Sequence, residues 1–191
     1  MFTLTSNPPY GEFAVRPVCK QTDRSLIREI FRKEFYGSAL LSYPDEGLWE
    51  IYDSMETNDE DVYGAYLVSY LDRPLFLLEI HPPIQMDLHS YYLTEPGTIG
   101  IYCFYASGSD PMNLPGFRAC IGSLLDHPGV DQILTTSNHM PHEDPRVGIL
   151  ERSGFTRLPK NRDRSTVYRC TQLSFPLLSD TSGRLSSLLA H

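Results

Sequence analysis

The chain has 191 residues, of which 41% are hydrophobic, 12% aromatic and 21% charged. This is enough apolar material for one α/β domain with an ample core, and too little length for a second. The formal net charge of −8 repels polyanions, which argues against nucleic acid as a partner and requires local geometry to hold any anionic cofactor.

The first residues, Met1 to Asn7, lack the basic flank and apolar run of a signal peptide, and no apolar run approaches the roughly 18 residues a membrane helix needs. A soluble, cytoplasmic protein with no membrane partner is expected. Glu12 to Pro17 reads as a first strand. Thr22 is the expected N-cap of a helix whose apolar face is Leu26, Ile27, Ile30, Phe31 and Phe35. After Ser42-Tyr43-Pro44-Asp45, the spacing of Leu48, Ile51, Tyr52 and Met55 predicts a second amphipathic helix. The acidic residues Glu56, Asp59, Glu60 and Asp61 that follow suit a solvated loop.

Val62 to Leu71 and Leu75 to Ile80 are β-rich runs separated by Asp72-Arg73-Pro74, the pattern of an antiparallel hairpin. Leu75 to Leu78 is continuously apolar, so both of its faces should be covered. His81 to Pro96 is a long connection, a length that in compact domains usually serves function. Thr98 to Ala106 and Gln132 to Thr136 are the next strands. The helix between them follows Ser107-Gly108-Ser109-Asp110-Pro111 and, with Pro115 and Gly116 near its start, should begin late, near Leu114, and end at Leu125. Such a unit implies a right-handed parallel crossover. Pro145 to Arg152 reads as a helix stopped by Ser153-Gly154, and Thr156 to Leu158 with Ser165 to Cys170 as a closing hairpin. Residues 1–175 therefore form the expected domain and 176–191 a C-terminal tail, with Leu173, Phe175, Leu177 and Leu178 available to pack back on it. Cys19, Cys103, Cys120 and Cys170 show no disulfide or zinc spacing and are expected reduced and mostly buried.

The order strand, strand, turn, helix, strand, helix over Pro74 to Phe155, closed by Ser153-Gly154-Phe155, resembles the core of a GNAT N-acyltransferase. Leu75 to Pro82 followed by Pro96-Gly97-Thr98-Ile99-Gly100-Ile101-Tyr102 is most similar to the branch that acylates hydroxylysine-type amines in siderophore assembly. That branch carries Asp where Thr98 stands and His where Tyr102 stands. The resemblance implies a GNAT-like α/β fold with a mixed, largely antiparallel sheet, flanking helices and two parallel strands that pull apart after residue 106. It implies an acyl-coenzyme A co-substrate, acetyl-coenzyme A or another, whose arm lies along Tyr102, Cys103, Phe104, Tyr105 and Ala106. Gly108 and Ser109 would approach its pyrophosphate, and Asn138 would complete the cofactor contacts.

The acceptor implied is an amine or hydroxylamine of a small molecule. Its ammonium must lose a proton before it attacks. Glu79, at the end of an apolar strand, is the candidate base, with His81 beside it. Tyr102 can hydrogen-bond a substrate, although a phenol is a poor base at neutral pH. Trp49 and Tyr91 are candidates to line the acceptor cleft. The pair His139 and His142 has no third ligand in evidence, so no metal is expected. A rival reading, a GNAT-shaped binding module without catalysis, follows from the departures at Thr98, Tyr102, Leu150 (where the superfamily commonly has a Tyr acid) and Asp110, which can cap the amides a phosphate would use. An unrelated α/β protein is the third.

Overall fold

The computed structural model describes residues 13–34, 64–81, 95–107, 109–136, 145–159 and 166–175. Within them the strands are β1 (Phe13–Pro17), β2 (Gly64–Tyr70), β3 (Arg73–His81), β4 (Thr98–Tyr105), β5 (Gln132–Thr136), β6 (Thr156–Arg157) and β7 (Val167–Thr171). They form one sheet in the order β1-β2-β3-β4-β5-β7-β6. Neighbours are antiparallel except β4 and β5, which run parallel. Helix α1 (Lys20–Glu34) packs Ile27 and Ile30 on one face, against Leu67, Leu77 and Phe104. Helices α2 (Asn113–Leu125) and α3 (Pro145–Arg152) cover the other, where Phe117, Ile121, Val147 and Leu150 meet Phe76, Leu78, Ile80 and Ile101. This is the α/β architecture expected, and β3 is buried from Leu75 to His81 as its continuous apolar run requires.

Helix α1 starts earlier than its sequence suggests. The Cys19 carbonyl accepts the amides of Thr22 and Asp23, so Cys19 holds the cap position and Thr22 lies within the first turn. The Asp23 carboxylate reaches back to the Cys19 amide at 2.8 Å and takes a bidentate pair of 2.6 Å bonds from Arg16 on β1. That reach outcompetes the Thr22 hydroxyl, since a charged acceptor binds about twice as strongly as a neutral one. The Arg16 guanidinium, followed by burial acting in the opposite sense, sets the balance that holds the Asp23 carboxyl below its usual range. A depressed carboxyl stabilises the fold above its unfolded value, near 4, and the contribution is lost as pH falls through the lower folded value. Acid unfolding of Asp23→Asn should therefore begin at higher pH than that of the parent, followed by circular dichroism. Because Arg16 is half-exposed, the difference at neutral pH should stay near 1 kcal/mol.

The β2–β3 hairpin turns at Leu71-Asp72, not at Asp72-Arg73-Pro74, since Tyr70 pairs with Arg73. Both turn residues have positive φ, 48° and 61°, the two-residue geometry that matches strand twist. Asp72 tolerates that region but Leu71 does not favour it, and Leu71 is largely exposed. Replacement of the pair by Asn-Gly should raise the denaturant midpoint at unchanged slope, worth about 1 kcal/mol. Beyond the turn the register shifts between Val68 and Ser69, and the Leu75 carbonyl accepts the Ala106 amide at 2.8 Å.

Gly97 opens β4 at φ +79°, where a Cβ would overlap the Asp131 carboxylate. Its carbonyl accepts the amides of Asp131 and Gln132, so this one residue seats the starts of both parallel strands. Helix α2 begins at Asn113, one residue before the expected Leu114. Pro115 falls in the first turn, where its missing N–H costs little. Gly116 lets the helix approach the sheet, since a Cβ there would lie 3.1 Å from Phe13 and 3.2 Å from Leu75. Helix α3 ends as its sequence predicts: Gly154 has φ +85°, its amide bonds the Glu151 carbonyl, and the Phe155 amide bonds that of Leu150.

Phe175 packs on the core, but Leu173 is fully exposed and does not pack back as expected. All four cysteines are free, with Cys120 and Cys170 buried, Cys103 intermediate and Cys19 exposed. Burial pushes the two interior thiols up to about 12 and about 11. Among the described residues no helix is long and apolar enough to cross a membrane. The predicted helix from Leu48 to Met55, and residues 176–191, lie outside the described residues.

Candidate active site

Strands β4 and β5 share three residue pairs, Thr98 with Gln132, Ile99 with Ile133 and Gly100 with Leu134. Beyond them each strand stays with its antiparallel partner: β3 follows β4 to Tyr105, and β7 follows β5 to Thr136. The Thr135 hydroxyl donates to the Ile101 carbonyl at 2.9 Å, a side-chain bond at the point where the ladder stops. The parting thus begins at Ile101 and not after residue 106. The Ala106 amide is committed to Leu75, which holds the end of β4 on β3.

On the α1 face of this region β3 and β4 bring three polar side chains together. Glu79 and His81 are two apart on β3 and so share a face. Tyr102 lies directly across from Glu79. Glu79 is 2% exposed and His81 5%, with His81 Nε2 3.1 Å from Glu79 Oε2. The Tyr102 ring meets the imidazole edge-on at 5.3 Å between centroids and lies 6.3 Å from that of Phe104. With Nε2–H donating to the carboxylate, the neutral ring keeps its lone pair on Nδ1. A carboxylate bonded to an imidazole in this way orients the ring and leaves its other nitrogen as the acceptor.

The turn before α2 is anchored by its own side chains. Asp110 Oδ1 accepts the Met112 amide at 2.9 Å, and the carboxylate is ion-paired with Arg73 from the β2–β3 turn. Asn113 Nδ2 donates to the Ser107 carbonyl at 2.6 Å. Among the described residues no group of three or more His, Cys, Asp or Glu side chains is placed to hold a metal.

Of the sequence-predicted site residues, Glu79, His81 and Tyr102 are brought together. Cys103, Phe104 and Tyr105 follow on β4, Cys103 and Tyr105 packing toward α2 and Phe104 toward α1. Ser109 sits in the turn, its hydroxyl 3.3 Å from that of Ser107. Gly108, Asn138, Trp49 and Tyr91 lie outside the described residues. Leu150 is buried in the core. Thr135 and Arg73 went unmarked in the sequence. A threonine in a β-rich run and an arginine beside a turn carry no local signal, and only the register shows what they reach.

An acyl-coenzyme A would have two parts to place here. Its extended, amide-bearing arm suits main chain that has left a parallel ladder, as β4 has after Gly100. Its pyrophosphate suits a helix start with amides to spare, and here Asp110 has taken the Met112 amide while Pro115 has none to give. The parting of β4 from β5 is the feature here to set against the arm, and among the described residues no helix amide beyond that of Met112 is tied up by the Asp110 side chain.

No family model matches the sequence, and no curated protein matches it. Solved structures do match in shape. An uncharacterized protein from Bacillus halodurans superposes with a TM-score of 0.70 at 14% identity, over 85% of this chain and 86% of that one. The aminoglycoside acetyltransferase AAC(6′)-Ib, in complex with ribostamycin and coenzyme A, matches with a TM-score of 0.64 at 19% identity, over 85% and 95%. An acetyltransferase from Thermus thermophilus matches with a TM-score of 0.59 at 16% identity, over 84% and 97%. The chain has the fold of these acetyltransferases.

Proposed function

We propose that this protein transfers an acyl group from an acyl-coenzyme A to an amine or hydroxylamine of a small molecule. One juxtaposition carries the reading: two parallel strands part after Gly100 and Leu134 beside the buried Glu79, His81 and Tyr102. The neighbour that holds both ribostamycin and coenzyme A supports a small, amine-bearing acceptor. The finer assignment to hydroxylysine-type acceptors rests on the Leu75 to Pro82 and Pro96 to Tyr102 segments and carries the differences at Thr98 and Tyr102.

When bound, the co-substrate supplies an activated thioester carbonyl. The chain's own residues position and deprotonate the nucleophile. The edge of β4 beyond Gly100 aligns the donor's arm, and the Tyr102 hydroxyl orients the acceptor. The Glu79–His81 pair removes the ammonium proton, which leaves a neutral nitrogen with its lone pair free to attack. Holding both partners in one wedge turns a bimolecular step into an effectively unimolecular one.

A melting curve with acetyl-coenzyme A tests the reading before any acceptor is known. At about 100 times its dissociation constant the ligand should add roughly 2.7 kcal/mol, a shift of roughly 2–4 °C per kcal/mol for a chain of this size. An unmoved melting temperature would favour the non-catalytic module, which the Asp110–Arg73 pair and the buried Leu150 allow.

A further inference from the structure

We infer that Thr135 is a positioning residue for the donor: its hydroxyl takes the carbonyl at which the β4–β5 ladder would continue, and so keeps the two strands from zipping further. The role in donor binding rests on the acyl-transfer reading of the same site; the effect on the strands does not.

The register supplies the argument. The Gln132 amide bonds the Gly97 carbonyl, so it points toward β4. Successive amides along a strand point to opposite neighbours, and those of Leu134 and Thr136 therefore also point toward β4, while that of Thr135 points toward β7. The ladder ends at the pair Gly100 and Leu134. One more pair would set Ile101 against Thr135, and the Ile101 carbonyl would then accept the Thr136 amide. It accepts the Thr135 hydroxyl instead, at 2.9 Å.

Both strands are held at this point by their outer neighbours. Ile101 is paired with Ile80 on β3, and Thr135 with Tyr168 on β7. Ile101 is fully buried and Thr135 is 5% exposed, so the carbonyl must find its donor within the protein. Two donors on β5 compete for it. A main-chain amide would draw the backbones to ladder spacing, about 4.8 Å, whereas the hydroxyl satisfies the carbonyl through a side chain and leaves the backbones apart. Threonine suits the task because its branched Cβ restricts χ1 and keeps the hydroxyl aimed. A further rung would shorten the wedge by one residue pair, about 3.3 Å, and move its apex away from His81, which pairs with Gly100.

The test combines amide hydrogen exchange on the ligand-free full chain with calorimetric titration of acetyl-coenzyme A. In the parent, the Thr136 amide should be at least a hundredfold less protected than that of Leu134, which lies within the ladder. Thr135→Val keeps the branched shape and removes the hydroxyl. Protection of the Thr136 amide should then rise tenfold or more, and acetyl-coenzyme A should bind tenfold or more weakly. Thr135→Ser, which keeps the hydroxyl, should leave both within about threefold of the parent. Unchanged protection of Thr136 in Thr135→Val overturns the inference, whatever the coenzyme does, and raised protection with undiminished binding overturns the positioning role. A parent that binds no acetyl-coenzyme A overturns the acyl-transfer reading and the donor role with it, while the exchange rates still decide whether Thr135 holds the strands apart. Should the valine variant fail to fold, the parent decides alone: equal protection of Leu134 and Thr136 would show that the rung is already formed and would overturn the inference.

Discussion

On the proposed acyl-transfer reading, Glu79→Gln should lower turnover by about a hundredfold or more while the fold and donor binding survive. The substitution is chosen to keep shape and one oxygen acceptor, so the 3.1 Å contact with His81 Nε2 can persist. What it would remove, on that reading, is the carboxylate partner of His81 as the imidazole takes the acceptor's proton. General-base participation typically contributes 10²–10⁴ in rate, and the loss should appear in kcat with little change in the melting shift given by acetyl-coenzyme A. His81→Gln should cost a similar factor, and the double variant little more than the worse single, because two groups that move one proton act as a unit. Unchanged turnover in Glu79→Gln would remove the pair from the mechanism.

Phe117→Ala should destabilise the protein by about 3–5 kcal/mol, measured by denaturant unfolding. Phe117 is fully buried and its ring meets Phe76 of β3 at 6.3 Å and Phe155 after α3 at 5.9 Å. One side chain thereby ties the central sheet to α2 and to the segment that leads into β6. Truncation leaves a cavity between three elements whose backbones are fixed by other contacts, so collapse into it is limited. Leu173→Ser, at a fully exposed position, should change stability by less than about 0.5 kcal/mol. A loss of similar size at both sites would show that Phe117 is not the keystone of this packing.

The elements whose signals are local were legible in the sequence. The apolar run from Leu75 to Leu78 gave away a doubly covered strand, Pro115-Gly116 a late helix start, and Ser153-Gly154 a glycine-ended helix. The clustering of Glu79, His81 and Tyr102 could be reached because strand periodicity and an antiparallel order place them on one face. Features that depend on long-range register could not be read. Cys19 caps α1 because an aspartate inside the helix is held by an arginine on β1, and that ion pair outweighs the local preference for Thr22. The hairpin turned at Leu71-Asp72 because pairing of Tyr70 with Arg73 fixed its length, overriding the proline that follows. Asp110 does not cap α2 as its sequence suggests: Met112 is the N-cap with no side-chain bond, Asp110 takes only that residue's amide, and its counter-ion lies 37 residues away at Arg73.

The short seam between β4 and β5 has a consequence for how this shape endures. A gap made by two backbones diverging is insensitive to the identity of most side chains along it, since only main-chain direction and the glycine that seats both strand starts are fixed. Substitutions along the walls can therefore change what the cleft would admit while the backbone divergence that makes it stays in place.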